Sequence, residues 1–176
     1  LLINTNVKHS LAESAYNERR KTCEKVAAIL TVSSLREVSE EQLTLIKNKV
    51  SKEDFEKALY IVEENKRVLE ASKSLKENQL KIFGQLLFDS HKGLQHKYKV
   101  SCAELDFLVE KAKENSTVIG ARMMGGGFGG CTINIVKKSE ISTFKREVLL
   151  AYKAQFSKEC SFYNIKLSKG VSEIKI

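Results

Sequence analysis

The sequence predicts an α+β domain in which helices cover an antiparallel sheet. Three observations lead to this class. Apolar residues recur at helical spacing from Leu11 to Lys113. The period then changes, and two β-branched runs flank a glycine-rich loop, a pattern typical of a hairpin. The chain opens with one apolar run and ends with an amphipathic segment and two more apolar runs. Strands are therefore predicted both before and after the helical part.

The first elements are a strand, a long helix and a short helix. Leu1–Thr5 has the composition of a strand. Ser10 followed by Glu13 has the spacing of a capping box, which predicts a helix over Leu11–Leu30. Two serines interrupt this pattern, and a short helix is predicted at Glu40–Lys47.

Three more helices follow in the predicted order. Ser51 with Asp54 is a second capping signal, and the helix that it opens runs to about Leu75. Asn78–His96 and Ser101–Lys113 also place their apolar residues on one face. Long amphipathic helices are therefore predicted to fill the middle of the chain.

The predicted elements after the helices are mostly strands. Val118–Met123 and Cys131–Val136 are predicted to be extended on either side of the glycine loop. A helix is predicted over Ser139–Phe156, and strands over Phe162–Leu167 and Val171–Ile176. We treat residues 1–176 as one domain.

Composition narrows the functional class. The 176 residues contain 42% hydrophobic and 30% charged residues, a balance typical of a globular domain. No apolar run approaches a membrane span. The apolar opening lacks a basic region and a cleavage signal, which argues against a secretory leader. The chain does not begin with methionine, so we expect a fragment of something longer.

The net charge of +8 raises a nucleic-acid hypothesis. Lysines alternate with acidic residues, and Tyr and Phe are not interleaved with arginine, so we expect solvated helix surfaces instead. Scattered cysteines without CxxC spacing favour reduced thiols and a cytoplasmic protein without a metal site. These cysteines are Cys23, Cys102, Cys131 and Cys160.

The glycine run Gly125–Gly130 is the sharpest chemical signal. Clustered glycines let backbone amides approach an anion, but a wide turn would explain the run as well. Tyr16, Arg19, Arg20 and Cys23 fall on one side of a helix. That set suits a sugar or a phosphate, and it suits a buried ion-pair network, which we favour.

Other polar residues carry less signal. The histidines do not cluster, and we expect them to lie at helix ends or to form structural hydrogen bonds. We expect the paired carboxylates to lie on solvent-exposed helix faces. These are His9, His91 and His96, and the pairs Glu40–Glu41 and Glu63–Glu64.

The segment from Gly120 to Thr132, GARMMGGGFGGCT, resembles the third motif of galactokinases, within the GHMP small-molecule kinase superfamily. Asn4–Ala12, Ser34–Val38, Ser90–His91 and Val100–Asp106 also resemble galactokinase segments in the family's order. The resemblance covers nearly the whole chain. It implies the C-terminal lobe of such a kinase, with residues 1–30 as an interdomain strand and helix.

The resemblance also implies an activity. Galactokinases transfer the γ-phosphate of ATP, with Mg²⁺, to the C1 hydroxyl of galactose. Their sugar-binding, ATP-phosphate and catalytic Asp motifs do not occur here. We therefore expect the missing N-terminal lobe to be a partner of this chain. We expect the fragment alone to be inactive and to bind no cofactor tightly. Loss of that lobe, with Leu1–Ile3 free to pair wrongly, would favour self-association.

Residue roles follow from the same resemblance. Tyr16 matches a tyrosine that contacts galactose. Lys8 matches an accessory cation, at a position where the family often has Arg. Arg19 and Arg20 match paired structural arginines. In the family, a second loop packs beside the loop that binds the nucleotide's phosphates and helps to shape it. The residues that match this second loop here are Gly125, Gly126, Gly127, Gly129 and Gly130. Ala121, Met124 and Ala103 depart from the usual Ser, Thr and Pro.

Two alternatives remain open. One is a regulator that binds galactose and ATP without catalysis. The other is an N-acetylgalactosamine kinase, although the stretch from Thr31 to Ser51 is short for that group. We expect neither nucleic acid nor membrane as a partner.

Overall fold

The computed structural model describes residues 1–7, 12–166, 168, 170 and 173, without the side chains of residues 12–14 and 16. Within these residues, four strands form one antiparallel sheet, in the order β2-β3-β1-β4. The strands are β1 (Leu2–Asn4), β2 (Val118–Met123), β3 (Cys131–Val136) and β4 (Ser161–Tyr163). The α-helices are α1 (Ala12–Ile29), α2 (Glu40–Leu45), α3 (Lys52–Lys76), α4 (Leu80–His96), α5 (Ala103–Glu114) and α6 (Ile141–Phe156). The predicted α+β class is confirmed.

Strand β1 lies inside the sheet, between β3 and β4. Ile3 is opposite Thr132 of β3 on one side and Phe162 of β4 on the other. The carbonyl of Leu1 accepts a hydrogen bond of 2.8 Å from the amide of Asn134. Both edges of β1 are therefore paired within this chain, whereas the self-association expected of the fragment stays a prediction.

Several predicted boundaries differ from the structure. The helix expected from Ser101 has Cys102 as its N-cap residue, and the helix expected from Ser139 begins at Ile141 after a 3-10 turn. The strand expected over Phe162–Leu167 ends at Tyr163. The Ser51 cap is confirmed, since its hydroxyl accepts from the amide of Asp54 at 3.0 Å. Other boundary predictions lie outside the described residues: the Ser10–Glu13 cap and most of Val171–Ile176.

Helices α5 and α6 cover one face of the sheet. Their buried side chains, including Leu108, Phe144 and Tyr152, pack with Ile3 and Ala121 of the strands. A second apolar cluster joins α1, α2 and α3, and a third lies where α3, α4 and α5 meet β2. The third cluster matters most for function, because the glycine loop begins at the end of β2.

Helix α4 packs against β2, which is an edge strand of the sheet. Gly84 of α4 and Gly120 of β2 make this approach possible. An added Cβ on Gly84 would lie 1.8 Å from the carbonyl oxygen of Ile119, and one on Gly120 would lie 2.5 Å from the Cα of Gly84. A covered edge cannot pair with another chain, so α4 protects this side of the sheet.

Tyrosines that are buried or half-buried make the fold sensitive to alkali. Burial raises the pKa of Tyr60 to about 12, and it raises the pKa values of Tyr98 and Tyr152 above their ordinary value. The unfolded chain loses these protons near pH 10, about two pH units before folded Tyr60 does. We therefore expect the melting temperature to fall steeply above about pH 10. Tyr60→Phe should make that slope shallower; an equal slope in the variant would contradict the assignment.

Candidate functional site

The glycine loop connects β2 to β3 and is held at three points. The amide of Met124 donates to the carbonyl of Cys131 at 3.0 Å, which closes the base. The amide and hydroxyl of Thr5 both donate to the carbonyl of Gly130, at 2.8 and 3.0 Å. In the middle, the amide of Phe128 donates to the carbonyl of Val100 at 2.7 Å. Two of these three anchors, at Gly130 and Phe128, join the loop to distant parts of the chain.

The two halves of this loop differ in exposure. Gly127 and Gly129 are buried, and the Phe128 ring packs on the cluster that contains Val100. The tip, Met124–Gly126, is exposed. In the part of the chain that the structure describes, a Cβ added to Gly126 would meet no atom within 4 Å. The structure thus presents a firmly anchored loop with an open backbone at its tip.

Arg19 joins α1 to the turn between α4 and α5. Its Nε donates to the carbonyl of Tyr98 at 2.8 Å, and a terminal nitrogen donates to the carbonyl of Lys99 at 3.1 Å. A second terminal nitrogen pairs with Glu18 at 3.2 Å, and the side chain is buried. Arg20 instead points outward, with its side chain 72% exposed and paired with Glu24. The two adjacent arginines therefore have different surroundings.

These surroundings predict that mutation of Arg19 lowers the stability of the fold more than mutation of Arg20. Arg19→Ala leaves two carbonyls without their charged donor, so it should lower the free energy of unfolding by about 2–3 kcal/mol. Arg20→Ala removes an exposed pair and should change it by less than about 0.5 kcal/mol. Chemical denaturation of both variants tests this. Equal losses would show that Arg19 is not the structural member of the pair.

Two predicted site residues have side chains outside the described part of the structure. Lys8, the accessory cation, lies outside the described residues. Tyr16, the sugar contact, belongs to α1, but its side chain is likewise not described. Their roles stay predictions, as do those of the loop glycines and Arg20.

His91 is buried on α4 beside the end of β2. Its Nδ1 accepts a hydrogen bond of 3.2 Å from the amide of Met123. Its Nε2 lies 3.2 Å from Oδ1 of Asp106, but this contact is not a hydrogen bond, and Nε2 has no hydrogen-bond partner among the described residues. The same carboxylate oxygen accepts from the hydroxyl of Ser101. The expectation that His91 is a hydrogen-bonding histidine is confirmed.

The expectation that Glu63–Glu64 is solvated is wrong. Glu64 is only 18% exposed and pairs with Arg67 and, at 3.0 Å, with Arg122 of β2. It also accepts from the hydroxyl of Ser90. Glu63 pairs with Lys97. Contacts with α4 and β2, which the helical pattern of α3 does not reveal, partly shield the two carboxylates from solvent. Glu40–Glu41 is exposed, as expected.

All four cysteines are free thiols. Burial raises the pKa of each, and that of Cys160 to about 11. Such thiols are mostly protonated at neutral pH, so the structure gives none of them the character of a nucleophile. Among the described residues, no group of three His, Cys, Asp or Glu side chains is arranged to hold a metal ion. Nor does any described helix combine the length and apolar composition needed to cross a bilayer.

Sequence reasoning missed the residues that anchor the loop. Thr5, Val100 and Asp106 are far apart from the loop in the chain, and each contacts it or its support only through the tertiary fold. The segment Val100–Asp106 did stand out as part of the family resemblance, but its function as an anchor had no local signal.

Comparison with known proteins finds relatives of this chain. The family model described as "GHMP kinases C terminal" matches residues 71–154, which include α4, α5 and the glycine loop. The galactokinase of Thermotoga neapolitana is 42% identical over 173 residues, covering 98% of this chain and 48% of that protein. The galactokinase of Clostridium beijerinckii is 42% identical over 179 residues, covering 99% and 46%.

A solved structure agrees with the fold. The crystal structure of Lactococcus lactis galactokinase complexed with galactose matches with a TM-score of 0.86 and 36% identity, over 92% of this chain and 43% of that one. The chain spans about half the length of these relatives, and the model that it matches is that of a C-terminal domain. The chain is therefore similar to the C-terminal portion of galactokinases, and its residues 71–154 match the C-terminal model of the GHMP kinases.

Proposed function

We propose that this chain is the C-terminal part of a galactokinase, which transfers the γ-phosphate of ATP to the C1 hydroxyl of galactose. The observation that carries the proposal is the anchored loop Met124–Gly130 with its open tip, within a chain that matches galactokinases over 98% of its length. We also propose that residues 1–176 form one domain, with residues 1–30 as the connection to the other lobe, and that the protein is cytoplasmic.

The loop supplies a positioned backbone. Phosphoryl transfer depends mainly on positioning and on charge neutralisation, and successive amides of a glycine-rich loop suit an anion. The open space around Gly126 leaves room for a phosphate-binding segment beside the tip. In this proposal the catalytic base and the ATP-phosphate segment belong to the other half of the enzyme, and Mg²⁺ arrives with ATP. We assign no metal ligand to the described residues.

Two residues outside the described side chains complete the proposed site. Tyr16 contacts the sugar, and Lys8 places a positive charge near the transferred phosphate. A lysine keeps the charge of the more usual arginine but lacks its planar fork. Arg19 supports them indirectly, because it fixes the helix that carries Tyr16 to the Tyr98–Lys99 turn.

The direct test measures ATP-dependent phosphorylation of galactose by this chain alone and by the longer protein that contains it. We expect activity only in the longer protein. Activity in the chain alone would place a base among these residues and overturn the half-site assignment. Activity in neither would favour a non-catalytic galactose and ATP regulator, and faster turnover of N-acetylgalactosamine would favour that kinase instead.

Gly126→Ala separates activity from folding. The added methyl group meets no atom of the described residues within 4 Å, so the melting temperature should stay within about 2 °C of the unchanged protein. In the longer protein the methyl group would stand at the proposed contact with the phosphate-binding segment, and kcat/KM should fall by about tenfold or more. Unchanged kinetics in this variant would argue against a contact at the tip.

A further inference from the structure

The backbone amide at the end of β2 needs a hydrogen-bond acceptor, and no strand of the described sheet supplies one. Because β2 is an edge strand, the amide of its last residue, Met123, points away from β3. An unpaired buried amide is costly. The acceptor is Nδ1 of His91, at 3.2 Å, on the helix that covers this edge. A side chain therefore occupies the place of a strand partner at the residue where the glycine loop begins.

The bond to Met123 determines the proton position on His91. A nitrogen that accepts a hydrogen bond carries no proton, so in the neutral ring the proton is on Nε2. That nitrogen lies 3.2 Å from Oδ1 of Asp106. Burial alone raises the pKa of Asp106, but the facing His91 ring and the hydrogen bond from Ser101 outweigh it, and the pKa lies below its ordinary value. The carboxylate that faces Nε2 is thus charged at neutral pH.

The same network reaches the middle of the loop. Ser101, which donates to Asp106, directly follows Val100, whose carbonyl accepts from the amide of Phe128. The entry of the loop at Met123 and its middle at Phe128 are therefore held by one set of contacts from α4, from α5 and from the turn that precedes α5. Only the tip between them is exposed.

We propose that His91 is a positioning residue, whose unprotonated Nδ1 holds the amide of Met123 and so sets where the tip of the glycine loop lies. Asp106 acts through His91 by facing the protonated Nε2. The effect on catalysis rests on the function proposed above, whereas the effect on the loop can be measured in this chain without any kinase activity.

Three substitutions at position 91 separate hydrogen bonding from packing. His91→Asn keeps an acceptor on Cγ, where Nδ1 is attached, and loses the group that faces Asp106. His91→Gln keeps a polar atom near the position of Nε2 and loses the acceptor for Met123. His91→Leu fills similar space with neither. Hydrogen exchange of the Met123 amide should be about tenfold faster in the Gln and Leu variants and nearly unchanged in the Asn variant.

The unchanged chain gives a test that needs no variant. The ¹⁵N chemical shifts of the His91 ring should show an unprotonated Nδ1 that accepts a hydrogen bond, and a protonated Nε2. A protonated Nδ1 at neutral pH would overturn the proposal. Equal exchange rates in all three variants would overturn it too, because they would show that His91 only fills space.

Kinetics of the longer protein test the catalytic part. His91→Leu and His91→Gln should lower kcat by about fivefold to tenfold at an unchanged KM for galactose, and His91→Asn should restore most of kcat. Loop changes without any change in kcat would overturn the catalytic part and leave the hydrogen bond standing. An inactive unchanged enzyme would instead overturn the proposed function, with the exchange result unaffected.

Discussion

Gly84→Ala is expected to destabilise the protein by more than about 3 kcal/mol, although alanine ordinarily strengthens a helix by up to about 1 kcal/mol. The reason is the contact between α4 and the edge of β2. The new Cβ would lie 1.8 Å from the carbonyl oxygen of Ile119, which is backbone and cannot rotate aside. Either the helix or the strand must move, and the packing of both would suffer.

The measurement is thermal and chemical denaturation of the variant against the unchanged chain. A loss of this size corresponds to a fall of about 6–12 °C in the melting temperature for a chain of this length. Lys81→Ala, nearly one turn earlier at an exposed position of the same helix, is the matched control and should have little effect. Stabilisation by Gly84→Ala would show that α4 does not pack closely on β2.

Gly127→Ala is expected to have the second largest effect, a loss of about 3 kcal/mol. Two independent causes act at this residue. Its φ is +87°, where a residue with a side chain is strained, and an added Cβ would lie 2.0 Å from the carbonyl oxygen of Val100. That carbonyl also accepts from Phe128, so relief of the clash would break a loop anchor.

Gly126→Ala is the control for Gly127→Ala, because it adds the same methyl group one residue away in open space. The pair should show opposite behaviour. Gly127→Ala should lower stability, and in the longer protein it should lower activity as a consequence. Gly126→Ala should lower activity alone. Equal stability of the two variants would mean that Val100 does not hold the loop.

Much of the fold follows from local patterns. The helical period, the capping serine at Ser51 and the β-branched runs on either side of the glycines predict each helix and both strands of the hairpin within a few residues. These signals are local because side-chain period and caps depend on neighbours three or four residues away. The glycine run is a local signal of the same kind, since clustered residues without a Cβ indicate a loop wherever they occur.

The sequence by itself thus determined the class of fold, the hairpin and, through the motif from Gly120 to Thr132, the similarity to galactokinases. Only the tertiary structure decided that β1 lies inside the sheet, that Glu64 is paired with Arg122, and that His91, Thr5 and Val100 hold the loop. The physical reason is that each of these contacts joins residues far apart in the chain, and hydrogen-bond partners at such separation leave no periodic trace in the sequence.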